Sequence, residues 1–288
     1  MTVKGGFRRF CLRATLPVVL WLLCAACTGS EAPPAKQNVS AAPPAYGDTL
    51  VEGTIGEAST LIPILASDSA SHSVAGLIYN GLIKYDKNLK IVGDLAESYL
   101  VSPDGLTITF KLRRNVTWHD GKPFTSRDVL YTYRVIIDPK TPTAYSEDFK
   151  QVAAVAAPDA HTVVVRYARP YAPSLASWGV AVLPSHLLEG QDITKSPLAR
   201  KPVGTGPFRF TEWVAGQKIV LEANKDYFEG RPYLDRYVFR LIPDTSTMYM
   251  ELKAGGIDQM GLTPVQFARQ TDSPRFKSAF NKYRYPSN

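Results

Sequence analysis

Residues 202–258, PVGTGPFRFTEWVAGQKIVLEANKDYFEGRPYLDRYVFRLIPDTSTMYMELKAGGID, decide the fold, because turn, hairpin and helix signals meet there at every junction. Gly204 and Gly206 lack a Cβ and Pro207 is fixed in φ, so together they make a tight approach to a strand. Phe208, Phe210 and Trp213 then begin a largely apolar edge. Val214-Ala215-Gly216-Gln217 turns the chain into Lys218–Ala223, a hairpin with a loop of about four residues. Residues 236–242 read as a further strand, and Thr245–Ala254 as a helix stopped by Gly255-Gly256. Thr263 ahead of Pro264 opens another helix. The stretch holds no catalytic constellation, which favours a binder over an enzyme.

Working back toward the amino terminus, residues 48–55 read as a strand and 56–69 as a loop kinked at Pro63. Ser71 is the expected cap of a short helix whose apolar side is Val74, Leu77, Ile78 and Leu82. Asp86-Lys87-Asn88 and Ser102-Pro103-Asp104-Gly105 are turns, the latter with the chemistry of type I. Leu106, Ile108, Phe110 and Leu112 alternate with polar residues, so one strand face is buried and the other wet. After the turn at Asp120-Gly121-Lys122-Pro123, Thr125 and Asp128 form a capping-box start for a helix. Its expected buried face is Val129, Leu130, Tyr133, Ile136 and Ile137, and Asp138-Pro139 stops it. Residues 161–167 read as a strand. Short strands alternating with helices give a mixed α/β or α+β class.

The chain has 288 residues, 45% of them hydrophobic, enough for one or two cores. Lys4, Arg8, Arg9 and Arg13 precede an apolar run from Ala14 to Ala26, too short to span a bilayer and therefore a secretory signal over residues 1–26. Its removal lowers the formal charge from +7 to +3, which gives no reason to expect a nucleic-acid partner. All three cysteines lie within the first 27 residues, so the body has no disulfide framework. Ala25-Ala26-Cys27 resembles a lipoprotein-processing site that would acylate Cys27, although Cys24 stands where that pattern usually has Leu. An ordinary cleaved signal with a chance cysteine is the alternative. The segment to residue 47 is rich in Pro, Ala and Ser and reads as a disordered tether, able to reach about 60–70 Å when extended.

The order GTGPF, hairpin, N-x-x-Y-F-x-G-x-P, strand and Gly-Gly-terminated helix resembles the family 5 extracellular solute-binding proteins, the peptide- and nickel-binding components of bacterial ATP-driven importers. Residues 93–134, GDLAESYLVSPDGLTITFKLRRNVTWHDGKPFTSRDVLYTYR, are similar to the family's other signature stretch. The resemblance implies a class II periplasmic-binding-protein fold, two α/β lobes closing on a ligand, with a domain inserted in the first. Residues 48–85 and 186–280 would form the first lobe (domain I), and 86–185 the inserted domain (domain II). Members run to about twice this length. The resemblance therefore implies that 281–288 lead toward a second lobe missing from this sequence, and that half of the ligand cleft is missing with it.

What the family implies for function is a periplasmic substrate-binding subunit that delivers peptides to membrane permease subunits, held to the envelope by lipid. Thr28 after Cys27 leans the placement toward the outer membrane. Nickel or nickel-chelate uptake is the alternative within the family, and an interaction or sensory lipoprotein the alternative outside it. By alignment to relatives, ligand contacts fall at Ser67, Asp68 and Ser69, which also fit a solvated turn, and at Tyr145, which also fits a half-buried packing residue. Trp178 beside Gly179 is a further candidate for the cleft, with core packing the competing reading, while Trp118 and Trp213 read as core. His72, His119, His161 and His186 lie far apart, with no H-E-x-x-H spacing, no G-x-S-x-G elbow and no phosphate loop, so neither enzyme activity, metal nor cofactor is expected.

Overall fold

The computed structural model describes residues 44–283, so the expected leader, Cys27, most of the tether and the last five residues lie outside the described residues. β1 (Thr49–Thr54) is followed by a 3-10 turn at Pro63–Leu65 and by α1 (Ser69–Ile78). A short hairpin, β2 (Ile83–Tyr85) and β3 (Ile91–Gly93), leads into β4 (Ala96–Val101), β5 (Thr107–Leu112) and α2 (Ser126–Ile137). A second strand pair, β6 (Val152–Asp159) and β7 (Thr162–Tyr167), precedes the single turn α3 (Ser185–Leu188). The chain ends with β8 (Phe208–Val214), β9 (Lys218–Ala223), β10 (Arg236–Leu241), α4 (Thr245–Ala254), β11 (Gln259–Met260) and α5 (Pro274–Ala279).

Two larger sheets, with the small β2–β3 pair between them in sequence, organise these elements. The first runs β11-β1-β10-β9-β8, with β1 parallel to both β10 and β11 and the β8–β9 hairpin antiparallel. The second is antiparallel, β4-β5-β7-β6. One buried cluster runs through both, from Ile219, Leu221 and Phe239 under α1 to Ile108, Phe110 and Val165 under α2. A smaller cluster, Ile242, Met248, Leu252, Ile257 and Phe276, seals α4 and α5 onto the other face of the first sheet.

Residues 204–207 lie hard against the end of α1. The Gly206 amide donates to the Ile78 carbonyl at 2.7 Å, and a Cβ on Gly206 would lie 2.6 Å from that oxygen. The glycines are therefore needed for close backbone approach, the second use of Gly beside φ freedom. Their φ values are ordinary. Gly255, by contrast, is the left-handed helix stop that the sequence suggests, with φ of 79°.

Some expectations shift. Asp68, not Ser71, caps α1, because its carboxylate accepts the Ser71 amide at 2.7 Å and the Ser71 hydroxyl at 2.7 Å, leaving Ser71 buried in the first turn. The capping box of Thr125 and Asp128 forms as read. The buried face of α2 is rotated, with Tyr131 and Thr132 inside and Ile137 out, since the Thr132 hydroxyl is drawn in to donate to the Asp128 carbonyl and to accept the Leu183 amide. Thr263 and Gln266 bond reciprocally as an N-cap pair, but the turn they open continues as a π-helix over Gln266–Gln270. β4 and the alanine-rich β6 carry weak strand propensity and form because β5 and β7 pair with them. A register shift between Ala156 and Asp159 accommodates Pro158 on this edge strand.

A candidate ligand groove at the carboxyl ends of three parallel strands

β1, β10 and β11 run the same way, so their carboxyl ends, Thr54, Leu241 and Met260, lie along one rim of the sheet. Ligands of open α/β sheets bind in the crevice outside such ends. An open groove lies there, about 720 Å³ with its mouth included. Its walls are residues 52–55 of β1 and the loop after it, Ser69, Ala70 and Ser73 of α1, Thr245 and Met248 of α4, and residues 261–263.

Each helix that starts at this rim has an acidic N-cap that takes one first-turn amide and places a carboxylate there. Asp68 accepts from Ser71 and from the Ser59 hydroxyl at 2.6 Å. Burial opposes its ionisation, but these hydrogen bonds outweigh burial and hold its carboxyl at about 2. Asp244 accepts both the amide and the hydroxyl of Thr247 at 2.7 Å, and the hydroxyl bond first, then the amide bond, lower its pKa. An anionic ligand would meet these two carboxylates at the helix starts. What the groove offers is hydroxyl groups, backbone and apolar surface, including Ile55, which is 59% exposed. Glu52 is the one charged side chain on its walls. Its carboxylate accepts the Tyr237 hydroxyl, with the Gln259 amide nitrogen 3.4 Å away.

A second open groove lies across α1, lined by His72 of that helix and Tyr79 just past it, by Asn80, Asp94 and Tyr227, and by Tyr145. A polar network forms its floor. Asn80 donates to both oxygens of Asp94 at 3.1 and 3.0 Å and accepts the Thr205 hydroxyl at 3.0 Å, while Lys84 lies 3.4 Å from Asp94. Burial raises the Asp94 carboxyl above its usual value despite these partners. The network ties the end of α1 to the GTGPF loop and to the start of β4, so its first role is to fix the two sheets against each other.

Of the residues singled out in the sequence, Ser69 lines the first groove, Ser67 is exposed beside it, and Asp68 is half-buried in its capping bonds. Tyr145 is half-buried in the second groove, its phenol pKa raised by burial and then by Asp148. α1 separates the two sets. Trp178 is 2% exposed, stacked near Tyr133 and edge-on to Phe149, and its indole donates to the Tyr167 hydroxyl at 3.0 Å, while its neighbours Ser177 and Gly179 reach the second groove. Trp118 is fully buried, and Trp213 is half-buried under the Arg200 guanidinium. Glu52, Ile55 and residues 261–263 were not singled out. Only the parallel pairing of β1 with strands far along the chain brings them together. Among the described residues, no group of three or more His, Cys, Asp or Glu is placed to hold a metal ion, and no helix is long and apolar enough to cross a membrane.

This arrangement has known counterparts. The family profile described as "Bacterial extracellular solute-binding proteins, family 5 Middle" matches residues 90–288. The oligopeptide-binding protein AppA of Bacillus subtilis is 35% identical over 247 residues, covering 84% of this chain and 46% of AppA. The structure of AppA in complex with a nonapeptide superposes with a TM-score of 0.74 at 32% identity, over 80% of this chain and 47% of that one. NikZ of Campylobacter jejuni, in complex with Ni(L-His), superposes with a TM-score of 0.73 at 28% identity, over 79% and 46%. The chain spans about half the length of the curated relatives it matches. Those relatives are solute-binding proteins rather than enzymes, and their fold is the mixed α/β periplasmic-binding-protein fold described above. The chain belongs to the family 5 bacterial extracellular solute-binding proteins.

Proposed function

We propose that this chain forms one wall of the ligand cleft of an importer's substrate-binding component, and that its ligands are peptides. The observation that carries this reading is the groove at the carboxyl ends of β1, β10 and β11, whose walls offer hydroxyls, backbone and apolar surface with a single charge. Such a wall suits an extended peptide held through its main chain, a mode that tolerates varied side chains. The nonapeptide complex of AppA supports the same choice of ligand. In this reading Ser67 and Ser69 meet the ligand, Asp68 fixes their loop, and Tyr145 meets it in the second groove with Trp178 supporting that wall from beneath. Residues 48–85 and 186–280 act as the first lobe and 86–185 as an inserted domain, a reading supported by the five- and four-stranded sheets, with the β2–β3 pair straddling the boundary. Capture shifts the population toward a closed form that docks on the permease. The leader exports the chain and acylated Cys27 tethers it, with Thr28 favouring the outer membrane.

Calorimetric titration of the mature chain with mixed short peptides and, separately, with a nickel–histidine complex tests this reading. One wall buries less of a ligand than an enclosed pocket, so peptide affinities on the order of 1 mM are expected. Heat from the nickel complex alone would replace peptides by nickel, the ligand in the NikZ complex. A folded chain that gives heat with neither would be an interaction or sensory lipoprotein instead.

A further inference from the structure

We infer that Glu52 makes this groove selective for ligands that carry a primary ammonium group on an aliphatic stem. The inference rests on the peptide reading above and names the chemistry that its first groove prefers. Glu52 is the one charge among the residues that line the groove. The other carboxylates at the rim are committed, Asp68 to Ser59 and Ser71 and Asp244 to Thr247. Arg240, the guanidinium of the neighbouring strand, is bound to Glu251 at 2.9 Å and to the Gly256 carbonyl at 3.2 Å, and does not neutralise Glu52.

Glu52 is also pre-oriented. The Tyr237 hydroxyl donates to one of its oxygens, and Gln259, its register partner on β11, stands beside the same oxygen. These neutral donors fix the carboxylate without cancelling its charge, so a ligand cation gains a charge-assisted hydrogen bond to a group already in place. The remaining walls suit a stem. Ile55 and Leu262 present apolar surface along which methylenes can lie while the ammonium reaches the carboxylate. A carboxylate-bearing ligand would meet repulsion with no cation on the walls to offset it.

A lysine side chain and a peptide's free amino terminus share this chemistry. Chemical-shift titrations of the full mature chain with acetyl-Ala-Lys-Ala-amide, free-terminus trialanine, acetyl-trialanine-amide and acetyl-Ala-Glu-Ala-amide separate the two sources. At least one ammonium-bearing peptide should bind about five- to tenfold tighter than the neutral one, and the glutamate peptide weakest. Which of the two binds tighter identifies the source. Glu52→Gln should bring all four within about twofold, since a neutral amide keeps the acceptor but loses the charge, whereas Glu52→Asp should keep the preference. Thermal melts of both variants confirm that the fold is intact. Equal affinities in the parent chain, or a preference that survives Glu52→Gln, would overturn the inference while leaving peptide binding standing. A folded chain that binds none of the four would overturn the peptide reading and this inference with it.

Discussion

The GTGPF seam and the groove at the strand ends lie at opposite ends of α1, and they use backbone in opposite ways. At the seam the glycine carbonyls and the Gly206 amide are taken. The Gly206 carbonyl accepts from Asn224 at 3.0 Å, the Gly204 carbonyl accepts the His119 amide at 2.8 Å, and no room is left for a Cβ. At the groove Asp68 and Asp244 each cap one helix amide, while hydroxyls, apolar surface and one carboxylate line the wall. The more recognisable a stretch is in this chain, the more completely its chemistry is used up in architecture. The less recognisable rim is the part proposed above to meet a ligand.

The sharpest way to break that contrast is Gly206→Ala. Its methyl would collide with the backbone of Ile78 from both the carbonyl carbon and oxygen, each at 2.6 Å, and neither partner is the flexible end of a side chain. We expect a loss of at least about 4 kcal/mol, beyond ordinary overpacking because backbone must move. Urea unfolding would measure it, and a change under 1 kcal/mol would mean that the seam yields as readily as a loop.

The next largest effect is a pH dependence centred on His119. Its Nδ1 accepts the Gly204 amide at 3.3 Å, so the proton sits on Nε2, which donates to the Gly206 carbonyl at 3.0 Å. Burial is the main cause that pushes this imidazole down to about 4, with Arg209 adding to it and Gly206 and Asp120 opposing. Above pH 6.5 the ring is neutral folded and unfolded, and its full contribution is present. As pH falls from 6.5 to 4 the unfolded chain takes up a proton that the folded chain refuses, so stability drops by about 2–3 kcal/mol over that window and levels off below it. His119→Gln should remove this portion of the pH profile, as followed by melting temperature between pH 7 and 4. An unchanged profile would show that the seam tolerates the cation.

The same contrast explains what could be read from sequence. The β8–β9 hairpin, the Thr125 capping box and the Gly255 stop are each fixed by a few adjacent residues, and all three form as read. β6 could not be read, because alanines and Pro158 favour no strand until β7 supplies a partner. Ser71 was a plausible cap for α1 until Asp68, three residues earlier, proved able to reach both its amide and its hydroxyl. The first groove could not be read at all from local signals. Glu52 lies beside Phe239 and Gln259 only because β1 pairs in parallel with β10 and β11, and long-range parallel pairing leaves no mark on either strand alone. Ser69 and Tyr145, which resemblance names as ligand contacts, line the first and the second groove respectively.

The smallest effect on stability should come from the groove itself, through Ile55→Ser. Ile55 is 59% exposed just past the end of β1, on a rim where the nearest seals, the caps of α1 and α4, are made by other residues. Removing an exposed apolar group away from such features changes stability by no more than about 0.5 kcal/mol, in contrast to the collapse expected one helix length away at Gly206. The same substitution takes away apolar surface from the wall proposed to hold a ligand's stem, so peptide affinity should fall by roughly two- to fivefold while the melting curve stays in place. Melting curves and peptide titrations on one sample of the variant read both numbers. If stability fell by as much as at the seam, Ile55 would be sealing the fold rather than waiting for a ligand, and the division of this molecule into a finished seam and an unfinished rim would not hold.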